Sequence, residues 1–172
     1  MRIKIILPTI AFLLTFIGNL HAEIRPRTFY LSPNTGFYHF DFYNLKDIDN
    51  PIPLGIGLGF DFSKQYGIEG NYNFGRSSAQ VDGSDVNFYF YRIELLHYYN
   101  EWKGMIPYLA VGAGALGINY TGERYRDSIA DFGYGMKYFF TDTLGIKADG
   151  RIIVLAPEHH FLFALCLNMR IR

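Results

Sequence analysis

From residue 50 onward, apolar side chains recur at every second position with Gly, Asn or a charge between them. In the stretch from Gly55 to Phe62, Ile56, Leu58, Phe60 and Phe62 share one parity, and Gly55, Gly57, Gly59 and Asp61 share the other. Successive side chains of a strand point to opposite faces, so such a run has one apolar face and one polar or compact face. A helix would need its apolar residues three and four apart instead. Segments with strand character can be marked at Thr28 to Phe42, Pro53 to Ser63, Tyr66 to Gly75, Val86 to Tyr99, Pro107 to Tyr120, Ser128 to Phe140, Thr143 to Ala156 and Phe161 to Ile171.

What the apolar face meets depends on where the chain goes. Arg2 and Lys4, the apolar run from Ile5 to Ile17 and the small-residue site Gly18-Asn19-Leu20-His21-Ala22 describe a secretory signal peptide over residues 1–22. No later segment approaches the roughly 20 apolar residues of a membrane-spanning helix. An exported chain of alternating strands with an apolar outer face predicts an all-β, eight-stranded antiparallel transmembrane β-barrel over residues 23–172, located in the cell outer membrane. Bacterial barrels have an even strand count, with about 9 to 11 residues per crossing, so one barrel consumes the mature chain.

Composition narrows the partners. Without Arg2 and Lys4 the chain carries 14 basic and 16 acidic residues, a net of −2, so no basic field attracts nucleic acid. Cys166 is the single cysteine, which rules out an intramolecular disulfide. With 16 Phe and 14 Tyr, aromatic residues make up 18% of the chain, as suits strands and the water–lipid boundary.

Parity assigns the faces. The lipid side receives Ile56, Leu58, Phe60 and Phe62; Ile68, Tyr72 and Phe74; Tyr89, Tyr91, Ile93 and Leu95; Phe132, Tyr134, Met136 and Tyr138; Leu144, Ile146 and Ile152; and Phe163, Leu165, Leu167, Met169 and Ile171. The opposite parity predicts an interior charge network of Asp61, Glu69, Arg92, Glu94, Asp131, Lys137, Lys147, Asp149 and Arg151. Five acids and four bases nearly balance, as a narrow interior requires, because an unpaired buried charge costs several kcal/mol. Two strands are ambiguous: Pro33-Asn34-Thr35-Gly36 suggests a bulge that shifts the parity of the first, and both faces of the fifth are small or apolar.

Ser63-Lys64-Gln65, Asn100 to Ile106 and Phe140-Thr141-Asp142 are compact connections, expected on the periplasmic side. The external connections are then Asn44 to Ile52, Arg76 to Asp85, Thr121 to Asp127 and Pro157 to His160. Trp102, with Tyr98, Tyr99 and Tyr108, is expected as an interfacial anchor at the periplasmic rim.

The run Gly55 to Phe62 followed by Tyr66-Gly67-Ile68-Glu69-Gly70-Asn71-Tyr72 resembles the second hairpin of OmpA-like and porin-family outer-membrane barrels. Pro107 to Gly114 and Gly133 to Phe139, leading through Thr141-Asp142 into Leu144 to Arg151, are similar to that family too. The resemblance implies an eight-stranded membrane anchor with a charged, hydrogen-bonded interior, with the chain ending before any peptidoglycan-binding domain. Asn168-Met169-Arg170-Ile171-Arg172 resembles the terminal strand read by the barrel-assembly machinery, with Ile171 where the family usually has an aromatic. Expected partners are therefore outer-membrane lipid, lipopolysaccharide and that machinery, with the protein a monomer.

Motifs for chemistry are weak. Gly112, Gly114 and Gly117 match a dinucleotide-binding spacing, but the following residues are not helical, and the glycines read as packing inside a strand. Glu158-His159-His160 carries metal-ligating residue types, yet adjacent residues of an extended chain face opposite sides. His39 and His97 sit in aromatic strands and read as structural, and Cys166 is expected inside without a partner. No catalytic residue, cofactor or metal site is predicted. The leading function is a non-enzymatic structural barrel, with a narrow pore as a variant. The alternative is a lipid A acyltransferase or deacylase drawing on Ser84, Asp85, Ser128, His159 and His160, although nothing in their spacing orients nucleophile, base and carboxylate. A soluble carrier resembling a lipocalin would need a polar exterior, which the Tyr89 to Leu95 and Phe163 to Leu167 rows oppose.

Overall fold

The computed structural model describes residues 23–39, 50–79, 83–155 and 158–171. The expected signal peptide, the first external connection over residues 44–49, the strand end at residues 40–42, and Pro157 lie outside the described residues. Eight strands follow one another: β1 Thr28–His39, β2 Leu54–Asp61, β3 Tyr66–Ser78, β4 Asp85–Tyr98, β5 Met105–Tyr120, β6 Glu123–Phe139, β7 Leu144–Leu155 and β8 Glu158–Ile171. Each is antiparallel to its sequence neighbours, and β1 pairs with β8 to close the barrel.

Closure ties stagger to tilt. Direct cross-strand partners run from Phe29 to Phe60, Ile68, Leu95, Val111, Phe132, Ile152 and Phe161, then return to β1 at His39, ten residues beyond the start. Ten residues at about 3.3 Å against eight spacings of about 4.8 Å correspond to strands tilted by about 40°. All of these partners face outward, each exposed or half-buried. The lipid-side rows expected from parity likewise face outward along every strand.

Several expectations change. The first strand has no bulge, because its register with β2 and with β8 is constant from end to end. Pro33 fits by facing outward, where Ser32 and Pro33 lack partners on β8 and the missing N–H disrupts little. The fifth strand resolves into Leu109, Val111 and Ala113 outward against Tyr108, Ala110 and Gly112 inward. Thr121 to Asp127 is not a loop. Thr121 and Gly122, at φ 48° and 87°, form a two-residue turn, and β6 begins at Glu123. Lys103 and Gly104, at 52° and 79°, make the same kind of turn between β4 and β5, closed by Trp102 N–H to Met105 O at 2.8 Å and its reciprocal at 3.0 Å. Positive φ at both positions twists the chain as paired strands require. The β3–β4 connection shrinks because β3 extends to Ser78, and β8 starts at Glu158, so His159 and His160 are strand residues.

The two ends differ in height. β6 pairs with β5 from Glu123 down, whereas its pairing with β7 begins only at Ala130, so the β5–β6 hairpin stands above the β7–β8 wall. At the short-turn end, residues 23–27 fold beneath the barrel and insert Ile24, 4% exposed. Arg170 donates to the Glu23 carbonyl, and Arg25 meets Asp142 at 2.5 Å. Lys64 donates to Glu23 and holds its carboxyl below the ordinary range.

Candidate functional site

The lumen is where the chain concentrates polar chemistry. All nine charged side chains expected inside are buried, each 6% exposed or less. They are contributed by β2, β3, β4, β6 and β7, at inward positions alternating with the lipid-facing rows.

Most of them form one chain of opposite charges. Lys147 lies 2.6 Å from Glu69 and 3.0 Å from Asp149. Asp149 is 2.7 Å from Arg151, which donates from Nε to Glu94 Oε1 at 3.0 Å. Glu94 also meets Arg92 at 3.0 Å, and Asp131 stands 3.8 Å from Arg92 and 3.9 Å from Arg151. The Arg92–Glu94 and Arg151–Asp149 contacts are close in charge without hydrogen-bond alignment of the Nη atoms concerned. Lys137 and Asp61 form a second group nearer the short-turn end. Lys137 donates to Tyr98 Oη at 2.7 Å, and Tyr98 donates to Asp61 at 2.6 Å.

Neutral residues join the two groups, and sequence reasoning missed them. Lys137 stands 3.9 Å over the Tyr30 ring, whose hydroxyl donates to Glu69 at 2.8 Å. Tyr108 donates to Asp149, and Asn71 donates to Glu94 at 2.9 Å. Tyr98 and Tyr108 are thus lumen residues, 2% and 1% exposed, and not part of the rim anchor with Trp102 and Tyr99. The parity of Arg92 and Glu94 already places Tyr98 inside. Cys166, expected without a partner, has Asp149 Oδ2 within 3.8 Å of its sulfur.

Large side chains fit because glycines stand opposite them. A Cβ on Gly59 would lie 2.0 Å from the Tyr30 ring, and one on Gly135 would lie 2.3 Å from Tyr108 Oη. Apolar layers close both sides of the network. Toward the long-loop end, Tyr38, Phe88, Phe90, Leu116, Ile118 and Ile153 pack together; toward the short-turn end, Ile24, Leu96, Ile106 and Phe139 join the tyrosines. A hollow of about 370 Å³ lined by Leu95, His97, Leu109 and Val111 lies on the lipid side of the wall and not in the lumen.

The residues considered for a hydrolase do not come together. Ser128 is exposed on the outer face of β6, while His160 is buried in the lumen against Tyr38, ring centroids 6.0 Å apart. His159 is exposed on the other face of β8, and Ser84 lies in the β3–β4 loop. Gly112 and Gly114 are strand positions whose added Cβ would strike β4 backbone at 2.7 and 1.9 Å. His97 lies between Tyr66 and Tyr99 on the outer face, with ring centroids 4.9 and 5.0 Å away, and His39 is exposed, Nδ1 3.0 Å from Asn50 Oδ1.

Solved structures share this architecture. Neisserial surface protein A aligns with a TM-score of 0.70 at 11% identity, covering 82% of this chain and 96% of that one. The N-terminal barrel of Pseudomonas aeruginosa OprF gives 0.63 at 14% identity, covering 85% and 98%. Ail of Yersinia pestis, in a complex with the heparin analogue sucrose octasulfate, gives 0.61 at 17% identity, covering 84% and 97%. At these identities the likeness concerns the fold. No sequence among the curated proteins matches this chain. The model of the outer membrane protein beta-barrel domain matches residues 9–158, and the chain belongs to that family.

Proposed function

We propose that this outer-membrane barrel is a non-enzymatic structural component of the membrane, a monomeric anchor whose lumen carries no steady flow. The observation that supports it is the filling of the interior, a charge network between two layers of aromatic and aliphatic side chains. An eight-stranded barrel is only wide enough for its own side chains, and a paired network holds them in one arrangement. On this reading Phe161, Phe163, Leu165, Leu167 and Ile171 on β8 form the face read by the assembly machinery, and the lipid-facing rows contact phospholipid and lipopolysaccharide.

Planar-bilayer recording tests the sealed lumen: conductance is expected to be absent or small. A large steady conductance would replace the anchor by a pore. Lipid A from cells with and without the protein should have the same mass; a changed acyl count would favour the acyltransferase or deacylase instead.

A further inference from the structure

The outer wall near the long-loop end carries a basic surface that the lumen reading leaves unused. Arg76, Asn87, Asn119 and Arg124 are direct cross-strand partners on β3, β4, β5 and β6. Their parity is that of the lipid-facing rows, and both arginines are exposed. The next row toward the membrane is Phe74, Tyr89, Gly117 and Arg126, and the Arg126 guanidinium stands 5.4 Å over the Tyr91 ring. Below follow Ile93, Leu95, Val111 and Phe132, all exposed. The wall therefore passes from aliphatic to aromatic to basic within a few residues, as at a boundary between lipid chains and headgroups.

Among the described residues, none of the three arginines forms an ion pair with a carboxylate. Among the described residues, the acids nearby are Asp85, outward and one row further out opposite Ser78, and Glu123, which accepts from Tyr125 at 2.5 Å. Asp127 has the inward parity of Ile129. Arg76 and Arg124 stand three strands apart, about 14 Å at about 4.8 Å per spacing. Guanidinium forks suit phosphate oxygens, and a surface this wide suits more than one phosphate.

The wall just below is built of small side chains. Ala113 faces Ala130 across β5 and β6, and Ser128 stands one row above, giving an exposed patch of small side chains between Ile93 on one side and Phe132 below. Ala115, opposite Ser128, is covered at 7% exposed. An acyl chain can lie flat there while its headgroup reaches the arginines.

We propose that Arg76, Arg124 and Arg126 dock the phosphorylated headgroup of an outer-leaflet glycolipid, with one of its acyl chains on the Ala113, Ser128 and Ala130 patch. This rests on the anchor reading, which turns the long-loop end outward. The side chains are exposed and lie outside the lumen network, so their replacement leaves the fold intact.

The test uses the full mature protein in phospholipid vesicles, followed by native mass spectrometry with added bisphosphorylated lipid A, the same lipid enzymatically dephosphorylated, or the phosphorylated disaccharide without acyl chains. The wild type should retain bisphosphorylated lipid A about tenfold better than the triple variant Arg76→Gln, Arg124→Gln, Arg126→Gln. Dephosphorylated lipid should bind both equally and weakly, and replacement of all three by Lys should fall between. Equal retention by wild type and the Gln variant overturns the proposal, as does full retention of the dephosphorylated lipid. Binding of the acyl-free disaccharide as tightly as the lipid overturns the acyl patch and assigns the surface to a soluble anion. Flotation of the same vesicles separates the two readings: protein that floats without arginine-dependent retention overturns only the docking, and protein that fails to float overturns the anchor as well.

Discussion

Arg151 is held by three carboxylates, Asp149 at 2.7 Å, Glu94 at 3.0 Å and Asp131 at 3.9 Å, so its removal leaves buried negative charge in excess. Breaking a buried pair on one side costs about 3 to 5 kcal/mol, although water entering the lumen lowers that figure. Arg151→Ala should accordingly unfold at lower urea in vesicles, whereas Arg151→Lys, which keeps the charge and loses the fork, should lose less. Unaltered stability of the Ala variant would mean a hydrated interior. Space is the other constraint at this scale. Gly59→Val places a side chain where the fully buried Tyr30 ring lies, an overpacking expected to destabilise by about 1 to 3 kcal/mol in the same assay. The nine charged residues were legible from parity, because an inward position in a strand announces itself by alternating with lipid-facing neighbours. Tyr30, Tyr98 and Tyr108 were not legible as network members, since an aromatic residue reads equally well as lumen filler or as a boundary anchor.

For the elements, alternation gave existence and facing, and turn chemistry decided the ends. The β5–β6 turn shows the limit. Glu123-Arg124-Tyr125-Arg126-Asp127 is polar enough to read as a loop, yet Thr121-Gly122 closes a two-residue hairpin and the residues after it pair with β5. Polarity there accompanies continued pairing with β5 and not a break in the strand. The last strand supplies the sharpest test of facing. Leu165 is 54% exposed and lies between Thr35 of β1 and Ala148 of β7 on the outer wall. Leu165→Arg should cost about 2 to 4 kcal/mol if it lies near the midplane, read as a smaller folded fraction in lipid vesicles. The companion replacement at Ile171, at the strand end, should cost less because an Arg there can reach headgroups.

On the scale of the whole molecule, the barrel is an inside-out protein, with aromatic and aliphatic rows outward and charges within. The protein should remain with the membrane pellet after carbonate extraction, and recovery in the soluble fraction would contradict the outer-membrane assignment. The sequence by itself determined strand number, wall parity and the near-balance of interior charge, because period-two alternation and sign counting are local properties that survive without coordinates. Only the tertiary structure decided which charges meet, since a ten-residue stagger around eight tilted strands brings Glu69 beside Lys147, distant in the chain. The same stagger aligns Arg76 of β3 with Arg124 of β6 on the outer wall. Neither juxtaposition can be read along the chain, because each depends on the register of strand pairs between them, and register is set by closure of the whole sheet.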